Sequence, residues 1–393
     1  MTLLNPNMAA TFPPPVMEAR RWLDGVTFAP DRPLINVSQA APVDPPPVAL
    51  REAMARFVME DDDAHLYGPV LGLPALRAKV ASVWSADYGG AVAPENVAIT
   101  SGCNQAFAAT ISVLAAEGDE VILPTPWYFN HKMWLDMGGI RAVPMPTGPG
   151  LVPRVGDAAA LITSKTRAIA LVSPNNPGGV EYPAETLAGF RDLCRARGIM
   201  LIVDETYRDF DSRSGAGHAL FEDPDWGDVL IQLYSFSKAY RLTGHRVGAM
   251  VARPDILAEA EKFLDTVAIC PNQLGQRAAL WGMEHLGDWL AEQRLEILDR
   301  SKAITEGFGV LRDKGWQLEG CGAYFAWMRH PFDAPSDALA QRMVREIGVL
   351  CLPGTMFVPD GDASGAQALR IAFANIDRRG IEQLYTRLAA LKA

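Results

Sequence analysis

Short runs of apolar residues alternate with stretches in which apolar positions recur at helical spacing over roughly the first 250 residues of the chain. Asn96–Thr100, Glu120–Pro124, Ala168–Val172, Ile199–Val203, Val229–Tyr234 and Val247–Ala252 are rich in β-branched residues and too short for buried helices, so they read as strands. After Thr100, the positions Phe107, Ile111 and Leu114 fall on one face of a helix. Strands that are apolar throughout are buried on both faces. Their alternation with helices therefore predicts a mostly parallel sheet covered by helices, an α/β fold. Beyond about residue 254 the pattern turns helical and charged as far as Lys314, and then Ala323–Met328 and Leu369–Phe373 read as strands of a second layer. Residues 1–45 are rich in proline apart from a helical Met17–Leu23, and Pro42–Pro47 resists regular pairing. The expected division is a large domain over 46–290 and a smaller α+β domain made of 1–45, an arm, plus 291–393.

Composition narrows the function classes. The 393 residues are 49% hydrophobic, enough to fill two cores, and the net charge of −10 comes with no Lys/Arg run, so neither nucleic acid nor an acidic membrane surface is an expected partner. Five cysteines, Cys103, Cys194, Cys270, Cys321 and Cys351, lie far apart without metal-type spacing. They fit a reducing compartment, and a cytoplasmic location with no metal centre is the expectation. Met1–Asn7 lacks a basic stretch followed by an apolar one, and no uncharged apolar run is long enough to span a bilayer.

The chemistry gathers at predicted strand ends, where ligands of open α/β sheets bind. Ser235-Phe-Ser-Lys-Ala-Tyr-Arg-Leu-Thr-Gly-His-Arg-Val-Gly248 places Lys238 between Ser235, Ser237 and Arg246. A lysine that is desolvated or set beside another cation loses its proton easily and becomes a nucleophilic amine. Arginine and serine next to it suit a phosphate. Taken alone, the loop could equally be a solvated polar turn. Ser101-Gly-Cys-Asn104 joins a strand to a helix, a turn that aims backbone N–H groups at an anion, though glycine is also common there for geometry alone. Asp204 follows a wholly apolar strand, where an unpaired carboxylate is costly. It needs a cation partner or a role as a helix cap. Tyr207 and Asn176 stand at neighbouring strand exits, each offering a donor or a packing group.

These pieces together resemble the fold type I, class I/II aminotransferases, which use pyridoxal 5′-phosphate, and the resemblance covers nearly the whole chain. Ser235-x-Ser-Lys238 followed by Gly244-x-Arg246-x-Gly248 is similar to that family's cofactor-lysine signature; Asn175-Asn-Pro-x-Gly179 and Asp204-x-x-Tyr207 match its other motifs in order and spacing. The resemblance implies a seven-stranded type of sheet, a cofactor tethered to Lys238, Asp204 at the pyridine nitrogen, and Tyr207 with Asn176 at the ring oxygen. It implies phosphate contacts from Gly102, Cys103, Asn104, Ser235, Ser237 and Arg246, with Tyr67 supplied by the neighbouring subunit of a homodimer with shared sites. Tyr128 would stack on the ring, with Trp127 the runner-up. Arg370 would grip the substrate α-carboxylate beside Asn176 and Ala40. Ala40 and Gly178 depart from the family's usual glycine and threonine, and Thr266–Gln273 offers no cation for an acidic side chain. A bulky neutral or aromatic amino acid is therefore the expected donor, with a 2-oxo acid as acceptor. A C–S lyase or decarboxylase of the same fold shares the lysine, aspartate and arginine and stays open as an alternative. A ligand-sensing regulator is a further alternative from another class, but no basic helix-turn-helix stretch is evident.

Overall fold

The computed structural model describes residues 3–392. A short strand β1 (Ile35–Asn36) precedes the seven strands of the large sheet: β2 (Val97–Thr100), β3 (Glu120–Thr125), β4 (Arg141–Pro146), β5 (Thr166–Val172), β6 (Met200–Asp204), β7 (Leu230–Ser235) and β8 (Gly248–Val251). Their spatial order is β2-β8-β7-β6-β5-β3-β4. Only β8 runs antiparallel to its neighbours, and every other pairing is parallel. All six apolar runs of the sequence thus become strands of one sheet. Strands β2, β3, β7 and β8 are buried at every residue, with separate apolar clusters packed on the two faces.

The helices that matter for the site come early. They are α1 (Pro6–Ala10), α2 (Pro15–Arg21), α3 (Val48–Glu60), α4 (Pro74–Tyr88), α5 (Cys103–Leu114) and α6 (Phe129–Met137). Helix α2 has proline at its first turn, Glu18 close behind and Arg20 with Arg21 at its end, an order that follows the helix dipole.

A second sheet is built from β9 (Gln317–Gly322), β10 (Phe325–Arg329), β12 (Leu352–Pro353) and β13 (Ala368–Ile371), antiparallel in the order β12-β13-β10-β9, while β11 (Val349–Leu350) pairs in parallel with β1. The β1–β11 pairing ties the N-terminal arm to the C-terminal part of the chain. Arg370 sits in the middle of β13, opposite Trp327 on one side and Leu352 on the other. The loop 175–179 reaches this sheet backbone to backbone. A Cβ on Gly179 (φ +76°) would lie 2.3 Å from the Phe325 carbonyl oxygen, and one on Gly320 would lie 2.4 Å from that of Gly178. A side chain at 178 would itself meet Leu151 and Asn175 within 3 Å, which gives the sequence's departure from threonine there a packing reason.

Candidate active site

A cavity of about 400 Å³ opens at the C-terminal ends of β5, β6 and β7, walled by α2 and Ala40 on one side and Arg370 on another. Lys238 enters it from the short helix Phe236–Ala239 that follows β7. Burial pushes its amine down to about 8, and the charges of Arg246 and Arg370 push the same way. Among the described residues no ion pair holds it. Arg246, in the left-handed region at φ +50°, donates from Nη1 to the Thr243 carbonyl at 3.0 Å. Its guanidinium lies against the start of α5, where a Cβ on Gly102 would be 2.4 Å from Arg246 Nη2. Glycine is needed at 102 for that approach and for its φ of +85°. Gly248 plays the same part from the other side, since its Cβ would be 2.7 Å from the Cys103 nitrogen. Cys103 and Asn104 begin α5, and with Ser235, Ser237 and Arg246 they line one end of the cavity. Backbone N–H groups at a helix start, two hydroxyls and a guanidinium form an anion seat.

The opposite polarity lies deeper. Asp204, 2% exposed, ends β6, and its Oδ1 accepts from the Thr206 N–H at 3.0 Å. Burial alone would raise its carboxyl, but His131, whose Nε2 is 3.2 Å from Oδ2, outweighs this together with Thr206 and holds it below the usual carboxylate range. The His131 nitrogen faces the carboxylate closely but outside the alignment of a hydrogen bond. The imidazole is fixed by stacking on Phe107, with ring centroids 3.8 Å apart, and by the edge of Tyr128 at 5.0 Å. Tyr128 also donates to Asn104 Oδ1 at 3.3 Å. Tyr207 is buried against Tyr324 and Phe325, and burial first, then Tyr128, drives its hydroxyl well above its ordinary value. It is therefore a proton donor at neutral pH.

Arg370 is 2% exposed and donates through Nη1 to Asn176 Oδ1 at 2.9 Å and through Nη2 to the Ser38 carbonyl. Three phenylalanine rings, Phe129, Phe325 and Phe357, surround its guanidinium at 5.8, 5.0 and 4.9 Å. Its Nε has no partner, and burial lowers its affinity for the proton to about 10. A buried cation with one unmatched donor is set up for an anion from outside.

Lys238, Asp204, Tyr207, Cys103, Asn104, Tyr128, Asn176, Ser235, Ser237, Arg246, Arg370 and Ala40 all line this cavity, with Gly102 directly behind Arg246. Trp127 does not: it is buried in the core and lines a separate hollow with Lys132. Tyr67 stands outside the cavity, 80% exposed. Sequence reasoning missed His131, although it lies three residues after Tyr128 on α6, one helical turn away. It also missed the wall formed by Pro14, Val16, Met17 and Arg20. Glu205, next to Asp204 and so on the other face of the strand end, was another omission. It accepts from Tyr88 and Gln232, each at 2.8 Å, with His218 at 3.2 Å, and this buried network fixes the backbone that presents Asp204 and Tyr207.

Residues 32–388 match the family model for aminotransferase class I and II. The chain belongs to that family. This aminotransferase is similar to the aromatic aminotransferase ISS1 of Arabidopsis thaliana, 30% identical over 86% of this chain and 87% of the relative. It is likewise similar to the arginine–pyruvate transaminase AruH of Pseudomonas aeruginosa, 31% identical over 79% of this chain and 81% of that one. Among solved structures, Escherichia coli YbdL, described as having a methionine aminotransferase function, superimposes with a TM-score of 0.89 over 100% of both chains at 22% identity, a likeness of fold.

Aminotransferases of this class depend on pyridoxal 5′-phosphate, and the aminotransferase cavity fits it. An anion seat at the α5 end, a buried carboxylate held ionised without a matched cation of fixed charge, and an amine that gives up its proton readily are complementary to a phosphate, a protonated ring nitrogen and an aldehyde carbon. The enzyme moves amino groups between amino acids and 2-oxo acids.

Proposed function

We propose that this aminotransferase takes a bulky neutral or aromatic L-amino acid as donor and returns the amino group to a 2-oxo acid, with Lys238, Asp204 and Tyr207 as its catalytic residues. Gly102, Cys103, Asn104, Ser235, Ser237 and Arg246 would hold the cofactor phosphate. Tyr128 and Asn176 would hold the ring, and Arg370, Asn176 and Ala40 the substrate. The observation that carries the reading is the opposition of Asp204, ionised though buried, to a Lys238 amine shifted down to about 8 in one cavity.

Pyridoxal 5′-phosphate, when bound, supplies the electron sink that makes the α-hydrogen of an amino acid acidic. The chain's own residues do the rest. Lys238 Nζ, whose proton is held far less tightly than an ordinary lysine's, takes the α-proton and later returns it. Asp204 stays negative because His131 and Thr206 support it. Tyr207 keeps its proton and donates a hydrogen bond. Arg370 fixes the α-carboxylate through the donor that no protein group uses. The phenylalanine rings around it exclude water and strengthen that pairing. Resemblance to an aromatic aminotransferase and the apolar wall of Pro15, Val16, Met17 and Phe129 support the donor class.

The functional unit is proposed to be a cytoplasmic homodimer in which Tyr67 serves the partner's phosphate. Leu66, Tyr67 and Ile269 are exposed apolar side chains brought to one face, since the Gly68 N–H donates to Cys270 Sγ at 3.4 Å. The five cysteines are free thiols, and among the described residues no helix is long and apolar enough to cross a membrane. The domain division at 46 and 290 is supported by the apolar cluster around Trp316, Met328 and Leu384, which is separate from those on the large sheet.

The test is a donor-only reaction. With phenylalanine or leucine and no acceptor, each site should release one equivalent of 2-oxo acid and stop, then resume when a 2-oxo acid is added. Sustained release of ammonia or carbon dioxide without an acceptor would overturn transamination in favour of a lyase or decarboxylase.

A further inference from the structure

Lys238 lines two cavities. One is the active-site cavity. The other, of about 30 Å³, lies behind it, between Phe210, the helix Gly287–Gly307, Ala374 and Tyr324 in the turn that joins β9 to β10. Among the described residues no other residue lines both. A space of this size holds roughly two waters and nothing larger. Its mouth carries Asp44 and Glu296, whose side chains are 61% and 49% exposed, and its floor carries Tyr324, 3% exposed, so it leads from solvent toward the buried lysine.

The charged groups of the wall are matched with one another. Arg241 faces Asp44 at 3.4 Å and donates from Nη2 to Gln293 Oε1 at 2.6 Å, while Arg300 faces Glu296 at 2.9 Å and donates to the Ala374 carbonyl. The Tyr324 hydroxyl has no protein partner among the described residues. Its ring is held against Tyr207 and Phe210, with centroids 5.3 and 4.9 Å away. Burial pushes the hydroxyl up and Arg241 and Arg300 pull it partly back, so it keeps its proton and lies in the field of the two arginines that wall the cavity. A buried tyrosine hydroxyl left bare is costly, and water in a polar hollow is what satisfies it. Lys238 likewise has no ion pair. Once an amino acid and the cofactor fill the active site, water is excluded from its amine on that side, and the rear cavity is the contact with solvent that remains.

We propose that water in the rear cavity joins Lys238 to solvent, with Tyr324 as the residue that positions it, so that the protons Lys238 carries during transamination are exchanged from behind while the front of the site is closed. This rests on the aminotransferase reading and on Lys238 as the proton carrier. The exchange is a balanced relay. The Lys238 ammonium gives a proton to the adjacent water as that water gives one of its own to the Tyr324 oxygen, and Tyr324 passes its hydroxyl proton outward to the next water. The reverse passage returns a solvent proton to the amine. Every group ends with the number of protons it began with, and only their origin changes.

The experiment follows the label of α-deuterated phenylalanine or leucine through one donor-only turnover of the holoenzyme in ordinary water. Deuterium taken by Lys238 is either lost to solvent or delivered to the cofactor carbon, and mass spectrometry of the aminated cofactor released by acid reads the fraction delivered. The wild type, open to rear water, should lose nearly all of it. Tyr324→Phe keeps the ring and drops the hydroxyl, and Ala374→Val narrows the cavity. Each should raise the delivered fraction several-fold, toward about one in three, the ceiling for a sealed ammonium with three equivalent hydrogens. A residue that only packs would change the rate and leave this partition alone. The two variants close the path by different means, so a fold lost in one leaves the other to decide. Crystals of the wild type, with and without cofactor, should show ordered water between Lys238 and Tyr324. Equal delivery in wild type and variants, delivery in the wild type already near the ceiling, or a rear cavity without water would each overturn the proposal and leave transamination standing. A wild type that removes deuterium from no amino acid would instead remove the reading on which the proposal rests.

Discussion

His131 Nε2 lies 3.2 Å from Asp204 Oδ2 in a space where both side chains are 3% exposed. Burial of a lone carboxylate favours its protonated form, so the imidazole decides whether Asp204 is an anion when the cofactor arrives. His131→Phe keeps an aromatic ring for Phe107 to stack on and removes the nitrogen that faces the carboxylate. Because the Asp204 carboxyl is held low, its contribution is present above the ordinary carboxylate value and lost only as pH falls through the lowered one. The variant should lose cofactor affinity at a higher pH than wild type, with activity down about tenfold near neutrality. Cofactor dissociation followed by absorbance as pH is lowered from neutrality checks this; superimposable pH profiles would show that His131 only packs.

Lys238 gives the opposite sign. Its folded value of about 8 is below the ordinary 10.5, so an empty site carries a destabilising protonated amine at low pH. That penalty is fully present below about 8 and relieved as pH rises from there toward 10.5. The rate at which cofactor-free protein captures pyridoxal 5′-phosphate should rise with pH and level off above about 8, in step with the free amine. Stopped-flow absorbance reads it directly. A rate still climbing steeply at pH 10 would mean an unshifted lysine.

Much of this site was legible in the sequence because its residues lie at the ends of apolar strands, where polar groups stand out. Lys238, Asp204, Asn176 and Arg246 are of that kind, and Arg370 sits between apolar flanks. The strand Arg141–Pro146 was not legible: it is an edge strand with two prolines and exposed residues at both ends, so no apolar run announces it. Strand Gln317–Gly322 was missed for a similar reason, carrying two polar or charged residues and two glycines that only pairing with Phe325–Arg329 makes regular. Arg20 and His131 escaped because each is defined by what a helix faces. Helix α2 read as helical from Met17–Leu23, yet nothing in its pattern says that it covers a cavity made by residues hundreds of positions away.

Arg370→Lys tests the carboxylate site. Lysine keeps a charge but cannot serve Asn176, the Ser38 carbonyl and a substrate carboxylate at once. Binding of a non-reacting monocarboxylate should weaken by roughly 2–5 kcal/mol while pyridoxal 5′-phosphate affinity changes much less. Equal loss of both, measured by calorimetry, would make Arg370 a structural residue.

Tyr67 tests the dimer. Tyr67→Ala should weaken cofactor binding although its side chain is 80% exposed in its own subunit. In a mixed dimer of Tyr67→Ala with Lys238→Ala subunits, one of the two sites combines an intact Lys238 with the partner's intact tyrosine. Mixing should therefore restore tight cofactor binding at that site. A Tyr67→Ala subunit that mixing does not rescue would place Tyr67 outside any shared site.

The account stands on Lys238 as the point of cofactor attachment, and the most direct measurement is chemical. Holoenzyme reduced with borohydride, digested and analysed by mass spectrometry should yield the peptide spanning Ser235 to Arg241 carrying the reduced cofactor on Lys238, at one equivalent per chain, and Lys238→Ala should carry none. Stoichiometric label on another lysine, or full labelling of the Lys238→Ala protein, would contradict it.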